Sequence, residues 1–264
     1  MSPAVADSTG SGLTAFLRSH LRPGMTVIEI GANVGLLTTV AAAAVGDRGR
    51  IIAYEPAPDT VQALRRACRS CTHVEIRQAA VADRPGARRF FVDLSESTSS
   101  TLYPAAAGPN HRAVLAAACS LDSELPTLPD AIDFIKIDAQ GAEGYIFEGA
   151  RRLLKRDKPL IIFELWPDGL RAAGVDPAYV LERLAGLGYH FHPVNAKGAV
   201  GNDERIRALL AGTLRSSVLN VLAHPRRWPS RRWFTVSPPA PCVLPREQRA
   251  LCRPWAAART PSSE

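Results

Sequence analysis

Two short stretches of this chain carry residues whose types and spacing could do chemistry. The first reads Glu29-Ile30-Gly31-Ala32-Asn33-Val34-Gly35 and is followed by an acid, Glu55, 24 residues after Gly31. Gly31 has no Cβ, so the backbone there can bend sharply and approach a ligand. Gly35 lets the next helix pack closely. A turn that leads from a strand into a helix N-terminus offers N–H groups to an anion. A carboxylate closing the next strand can accept hydrogen bonds from both hydroxyls of a ribose. The middle residue of the turn is Asn33. A dinucleotide pyrophosphate needs glycine there, so the GxNxG pattern argues against a nicotinamide oxidoreductase.

A ligand with an amino-acid head and an adenosyl tail suits this pattern better. S-adenosylmethionine has no pyrophosphate; its carboxylate fits the helix start and its ammonium fits the anion Glu29. Gly31, Asn33, Gly35 and Glu55 are the expected binding residues, and Ala79 and Ala80 are expected to form a flat slot for the adenine. The second stretch reads Asp133-Phe134-Ile135-Lys136-Ile137-Asp138, then Ala139-Gln140-Gly141-Ala142-Glu143. Methyl transfer needs a nucleophile held opposite the sulfonium and a group to take its proton. Asp138 can take the proton, orient a hydroxyl or hold a cation. Glu143 either serves the cleft or complements a helix dipole. Glu164 serves the cleft or a structural ion pair, and Lys136 is a buried paired lysine or an edge residue.

These residues require elements that bring them to one edge. The β-branched run Thr26–Ile30 reads as a strand stopped by Gly31, and Arg50–Glu55 as a second stopped by Pro56. Val74–Val81, Ile132–Asp138, Leu160–Leu165, Tyr189–Val194 and Ser217–Leu222 read as further strands. Helices are expected over Ser11–Leu21, Gly35–Val45, Thr60–Cys71, Gly141–Lys155 and Pro177–Leu187. The alternation implies an α/β fold, a Rossmann-like, doubly wound and mostly parallel sheet. It breaks over residues 83–129, where Arg88–Leu94 and Ala113–Cys119 read as an inserted hairpin or cover. The expected organisation is a lead-in helix over 1–24, the main domain over 25–224 and an extension over 225–264.

Bulk properties narrow the class. With 264 residues and 46% hydrophobic content the chain can bury a real core. The longest apolar run, Leu36–Val45, is far short of a membrane span. The first residues lack the pattern of a signal peptide, and a cytoplasmic protein is expected. The five cysteines, Cys68, Cys71, Cys119, Cys242 and Cys252, form no disulfide framework. Neither the lone Cys68/Cys71 pair nor His190 and His192 finds further ligands for a metal, and none is expected. The net charge of +7 is concentrated in residues 225–264, which hold eight arginines, two glutamates, and no lysine or aspartate.

The stretches Val27–Gly35, Ile51–Pro56, Ala79–Asp83, Leu121-Asp122-Ser123, Asp133–Glu143, Glu148-Gly149-Ala150 and Leu160–Pro167 together resemble the FkbM-type methyltransferase family. The similarity covers roughly residues 25–195, and its most specific piece is FIKID-x-x-G-x-E with the later E-G-A. The resemblance implies a class I methyltransferase domain that uses S-adenosylmethionine to methylate hydroxyls on small molecules such as secondary metabolites or sugars. Carried over by position, Gly31, Asn33, Gly35 and Glu55 bind the cofactor, while Asp138 and Glu143 line the cleft. Glu29 stands where aspartate is usual. Gln140 stands where glutamate is common, so that position offers no base. A nucleic-acid methyltransferase is the main rival. Asp138-Ala139-Gln140-Gly141 lacks the D/N-P-P-Y/F run of base methylation, but an arginine- and tryptophan-rich tail suits RNA. A non-catalytic S-adenosylmethionine-binding protein is a further alternative. Oligomeric state has no readable signal.

Overall fold

A computed structural model describes residues 6–95, 99–107, 109–210 and 218–225. The extension from residue 226, Cys242 and Cys252, and parts of the polar stretch and Gly108 turn expected in the insertion lie outside these residues. The chain opens with α1 (Ala6–His20), β1 (Thr26–Ile30), α2 (Leu36–Val45), β2 (Arg50–Tyr54), α3 (Pro58–Ala67) and β3 (Val74–Arg77). After β4 (Ala80–Val81) the inserted segment contributes β5 (Gly86–Asp93), β6 (His111–Cys119) and α4 (Leu121–Glu124). Then come β7 (Phe134–Ile137), α5 (Glu143–Glu148), α6 (Arg151–Asp157), β8 (Leu160–Leu165) and α7 (Pro167–Ala172). The last elements are α8 (Pro177–Gly186), β9 (Tyr189–Val194), α9 (Glu204–Leu210) and β10 (Leu219–Pro225).

Seven strands form one sheet in the order β3-β2-β1-β7-β8-β10-β9. The first five run parallel; β10 runs antiparallel to both β8 and β9. Strand order reverses between β1 and β7. In an open α/β sheet that reversal leaves a crevice at the carboxyl ends of the strands, where ligands bind. Alternate side chains of each strand feed two cores. Ile28, Ile30, Ile135, Ile137 and Phe163 pack with α5, α6 and α8 on one face. Val27, Ile51, Phe134 and Ile162 pack with α1 and α2 on the other. Phe16 of α1 is fully buried there, so the lead-in helix is part of the core.

Two departures from the sequence expectations bear on the site. The third strand does not run unbroken to Val81. The chain turns at Gln78-Ala79, with Ala79 N–H bonded to the Arg77 carbonyl, and β4 joins a second sheet, β4-β6-β5. That turn carries Ala79 and Ala80 to the crevice. The expected helix Gly141–Lys155 is two helices broken at Gly149. A Cβ at 149 would lie 2.2 Å from the Ala82 carbonyl oxygen, so glycine is needed for the insertion to pack there. His190 and His192, on the edge strand β9, stack with His224 of β10 instead of converging on an ion. Among the described residues, no group of three or more His, Cys, Asp or Glu could hold a metal. No helix among them is long and apolar enough to cross a membrane.

Candidate active site

The turn after β1 is fixed by the protein itself. Gly31 has φ +74, and a Cβ there would stand 1.9 Å from the Asp138 carbonyl oxygen. The close approach that demands glycine is therefore to the loop after β7, not to a ligand. Gly31 and Ala32 both donate to the Tyr54 carbonyl at the end of β2, and Gly35 donates to Ala32. Asn33, at φ +48 in the left-handed region that asparagine tolerates, donates its N–H to Glu55 Oε2 at 2.9 Å. These N–H groups are thus occupied, and a ligand carboxylate is left with the open N–H groups of the first turn of α2. Gly35 meets Leu64 and Ala67 of α3, where a Cβ would lie 2.8 Å from Leu64 Cδ1. Its role is the close packing expected.

Glu55 closes β2 and ties the two halves of the loop together. Its Oε1 accepts the Ala57 N–H at 2.9 Å while Oε2 holds Asn33. Burial raises its pKa, and the two backbone hydrogen bonds work against that shift. Each carboxylate oxygen has two lone pairs, so one remains on each for a diol.

Glu29 and Lys136 are partners across β1 and β7, on the face where their strand neighbours are apolar. Both are buried, with Lys136 Nζ 3.7 Å from Glu29 Oε1. Burial raises the Glu29 pKa, while the Lys136 charge and the Thr38 hydroxyl lower it. Neither Glu29 oxygen is within hydrogen-bond geometry of a described group. Contrary to expectation, Glu29 stands behind the loop and not on the cavity wall. The same lysine donates to the Gly31 carbonyl at 2.8 Å and lies 3.7 Å from Asp138 Oδ2. Lys136 is therefore a buried paired lysine, the first of the two readings open from sequence.

Acids from β7, β8 and α5 meet at the other end of the crevice. The side-chain amide of Gln140 donates to Asp138 Oδ1 at 2.9 Å and to Glu164 Oε2 at 3.0 Å. Burial and the Asp138 and Glu143 charges push the Glu164 carboxyl well above the usual carboxylate range. Glu143 is fully buried and accepts the N–H groups of Ala139 and Gly141 at 3.1 and 3.0 Å. It shapes the loop that presents Gln140 and does not line the cavity. Burial pushes its pKa up to about 7.

A group whose folded pKa is raised gives its full stabilisation below the unfolded value and loses it as pH rises through the folded value. For Glu143 that window runs from the ordinary glutamate value of 4.5 to about 7. We expect this residue to lower stability by about 2–3 kcal/mol across the window. Urea unfolding of wild type and Glu143→Gln at pH 5 and 7.5 checks this, since the variant should lose that part of the decline. An equal decline in both would remove Glu143 as its source.

The resulting crevice holds about 590 Å³ of space, counting the solvent at its open mouth. Gly31, Asn33, Glu55, Ala79, Ala80 and Asp138 line it as the sequence suggested. Gly35, Glu143 and Glu164 stand outside the wall. Residues the sequence did not single out complete it, notably Tyr54, Phe90, Ser100 and Leu102. The last three come from the insertion, which is clipped over the crevice. Thr101, fully buried, pairs with Phe91 through both backbone groups and donates its hydroxyl to the Gln140 carbonyl at 2.8 Å.

Comparison with known proteins finds similarity to methyltransferases. A 45-residue stretch is 44% identical to protein-L-isoaspartate O-methyltransferase 1 of Arabidopsis thaliana, spanning 17% of this chain and 20% of that protein. Among solved structures, the FkbM methyltransferase of Methylobacillus flagellatus KT has TM-score 0.47 and 14% identity, over 80% of this chain and 50% of that one. A precorrin-6y C5,15-methyltransferase from Geobacter metallireducens GS-15 has TM-score 0.47 and 14% identity, over 85% and 93%. The methyltransferase FkbM domain profile matches residues 29–191. That span holds the loop after β1, Glu55, the inserted sheet and the carboxylates of β7 and β8, and the chain belongs to the FkbM family of S-adenosylmethionine-dependent methyltransferases.

Proposed function

We propose that this chain methylates a hydroxyl group of a small molecule, with S-adenosylmethionine as donor and Asp138 as the proton acceptor. When bound, the cofactor supplies an electrophilic methyl group on a positively charged sulfur. The observation that carries the proposal is that Asp138 shares one cavity with Asn33 and Glu55. Glu55 has acceptor capacity for a ribose diol, and Ala79, Ala80, Val81 and Phe90 offer small and apolar surface for a purine. Glu29, a buried carboxylate behind the loop, adds negative potential that favours an ammonium on the cavity side of the loop.

At the other end, Asp138 is held by the Gln140 amide on one oxygen and by the Lys136 charge near the other. It is aimed by fixed partners, which is what positions a base without reorganisation. The acceptor hydroxyl gives up its proton to Asp138 as its oxygen takes the methyl group. Asp138 puts a carboxylate on the wall at this end, which favours a neutral or cationic acceptor over an anionic one. We further propose that residues 25–224 form the catalytic unit, with 83–129 supplying acceptor walls and 225–264 an extension outside it.

Two measurements test this reading. Calorimetry of the full chain should show S-adenosylmethionine binding, weakened by about 1.5–3 kcal/mol in Glu55→Ala. Label from methyl-labelled cofactor should pass to members of a panel of neutral and amino glycosides and polyols. No binding at millimolar cofactor would sink the assignment. Transfer to RNA alone would overturn the acceptor class.

A further inference from the structure

The proposed function uses Lys136 only as a charge beside Asp138, yet its side chain touches both ends of the site. Its ammonium has three N–H donors. One is spent on the Gly31 carbonyl at 2.8 Å, and two carboxylates, Glu29 Oε1 and Asp138 Oδ2, each stand 3.7 Å away. The lysine is 5% exposed and sits in β7 opposite Glu29 of β1, where an apolar pair would otherwise complete the core. A buried lysine is costly unless it is paired, and removing one member of such a group leaves the others uncompensated. The position therefore serves something besides packing.

We propose that Lys136 is a positioning residue that couples the cofactor loop to the proton acceptor. Its hydrogen bond fixes the Gly31 carbonyl, and hence the bend that carries Asn33 and Glu55. The same charge balances Glu29 behind the loop and Asp138 on the cavity wall. Other ionisable groups act on this cluster. Glu55 at the end of β2 interacts with both Glu29 and Lys136, Cys68 after α3 with Glu29, and Glu164 of β8 with Lys136 and Asp138. From α2, the Thr38 hydroxyl faces Glu29. Lys136 is the cation that opposes the Glu29 charge, so without it Glu29 should hold a proton until the field of a cationic ligand group across the loop favours its release.

The inference rests on the cofactor reading above, and the test separates the two. The probe is S-adenosylhomocysteine, titrated calorimetrically into the full chain at pH 7.5 in two buffers of different ionisation enthalpy. Wild type is expected to bind with little net proton exchange. Lys136→Met should bind at least about ten-fold more weakly and release up to about one proton per ligand. Lys136→Arg and the double variant Lys136→Met/Glu29→Gln should release none. A merely structural lysine would weaken binding without proton release. Folded Lys136→Met that matches wild type within about two-fold and exchanges no proton overturns the inference. Should Lys136→Met not fold, the double variant, which removes the buried Glu29 charge together with the lysine, decides. Retained wild-type affinity there overturns the loop anchor, and a loss of about ten-fold supports it. If wild type itself fails to bind the probe, the cofactor reading falls instead.

Discussion

Gly31→Ala is expected to destabilise the protein by about 3–5 kcal/mol and to remove measurable S-adenosylmethionine binding. The new Cβ would lie 1.9 Å from the Asp138 carbonyl oxygen and 3.0 Å from its carbon. Both are backbone atoms and cannot rotate aside. The peptide that carries this carbonyl is itself held, since its Ala139 N–H donates to Glu143 Oε1 at 3.1 Å. Relief must therefore come from prying β1 away from β7 at the reversal point of the sheet. That movement would break the Lys136 bond to the Gly31 carbonyl and displace Asp138. The left-handed φ of +74 adds about 1–2 kcal/mol for any residue with a Cβ. A control separates the two costs. Gly46 has φ +64 and ψ −177 and nothing within 4 Å of its ideal Cβ, so Gly46→Ala should cost only its backbone strain, about 1–3 kcal/mol. Urea unfolding of both variants, with calorimetric titration of the cofactor, checks the contrast. Equal and small losses would mean that the close approach is not needed.

The parts of this site that were legible in the sequence are those set by local chemistry. β1, β2 and β8 are short β-branched or aliphatic runs whose ends are marked by Gly31, Pro56 and Pro167. The loop and Glu55 follow directly from those ends. Period-two alternation also puts Glu29 on the same strand face as Val27, away from Ile28 and Ile30, so its place behind the loop was implicit in the pattern. What hid it was the pairing of β1 with β7, a register between residues about a hundred positions apart that brings Lys136 alongside.

The misjudged elements share that non-local origin. Gly149 breaks a helical pattern because the Ala82 carbonyl approaches it, and no neighbouring residue announces that contact. Phe90, Ser100 and Leu102 line the cavity only because Thr101 clips the insertion onto Gln140. Gln140 looked like a lost base in the sequence. In the fold its amide joins Asp138 to Glu164, a role that needs a neutral donor between two acids. The expected loop N–H groups were misread for a related reason, because their partners, Tyr54 and Glu55, arrive from β2.

Asp138→Asn is expected to lower kcat by about 10²–10⁴-fold while changing cofactor affinity by less than about three-fold. The substitution keeps a carbonyl-type oxygen that can accept from Gln140, so the loop geometry should persist; what it removes is the basic site. Glu164 is the competing candidate, since it bonds the same amide and was equally open from sequence. Three observations favour Asp138. It lines the cavity, whereas Glu164 does not. It has the Lys136 cation 3.7 Å from its second oxygen. Glu164, in contrast, is pushed toward the neutral acid by burial and by the two neighbouring carboxylates, so it holds its proton where Asp138 must accept one. The sign of that shift gives the pH test. Glu164→Gln mimics the protonated acid and should leave kcat near pH 6 within about three-fold of wild type. Asp138→Asn should be impaired at every pH between 6 and 9 (about one decade above and below the usual assay range). Should Glu164→Gln abolish turnover while Asp138→Asn retains it, the two carboxylates exchange roles, and Asp138 becomes the group that orients the acceptor.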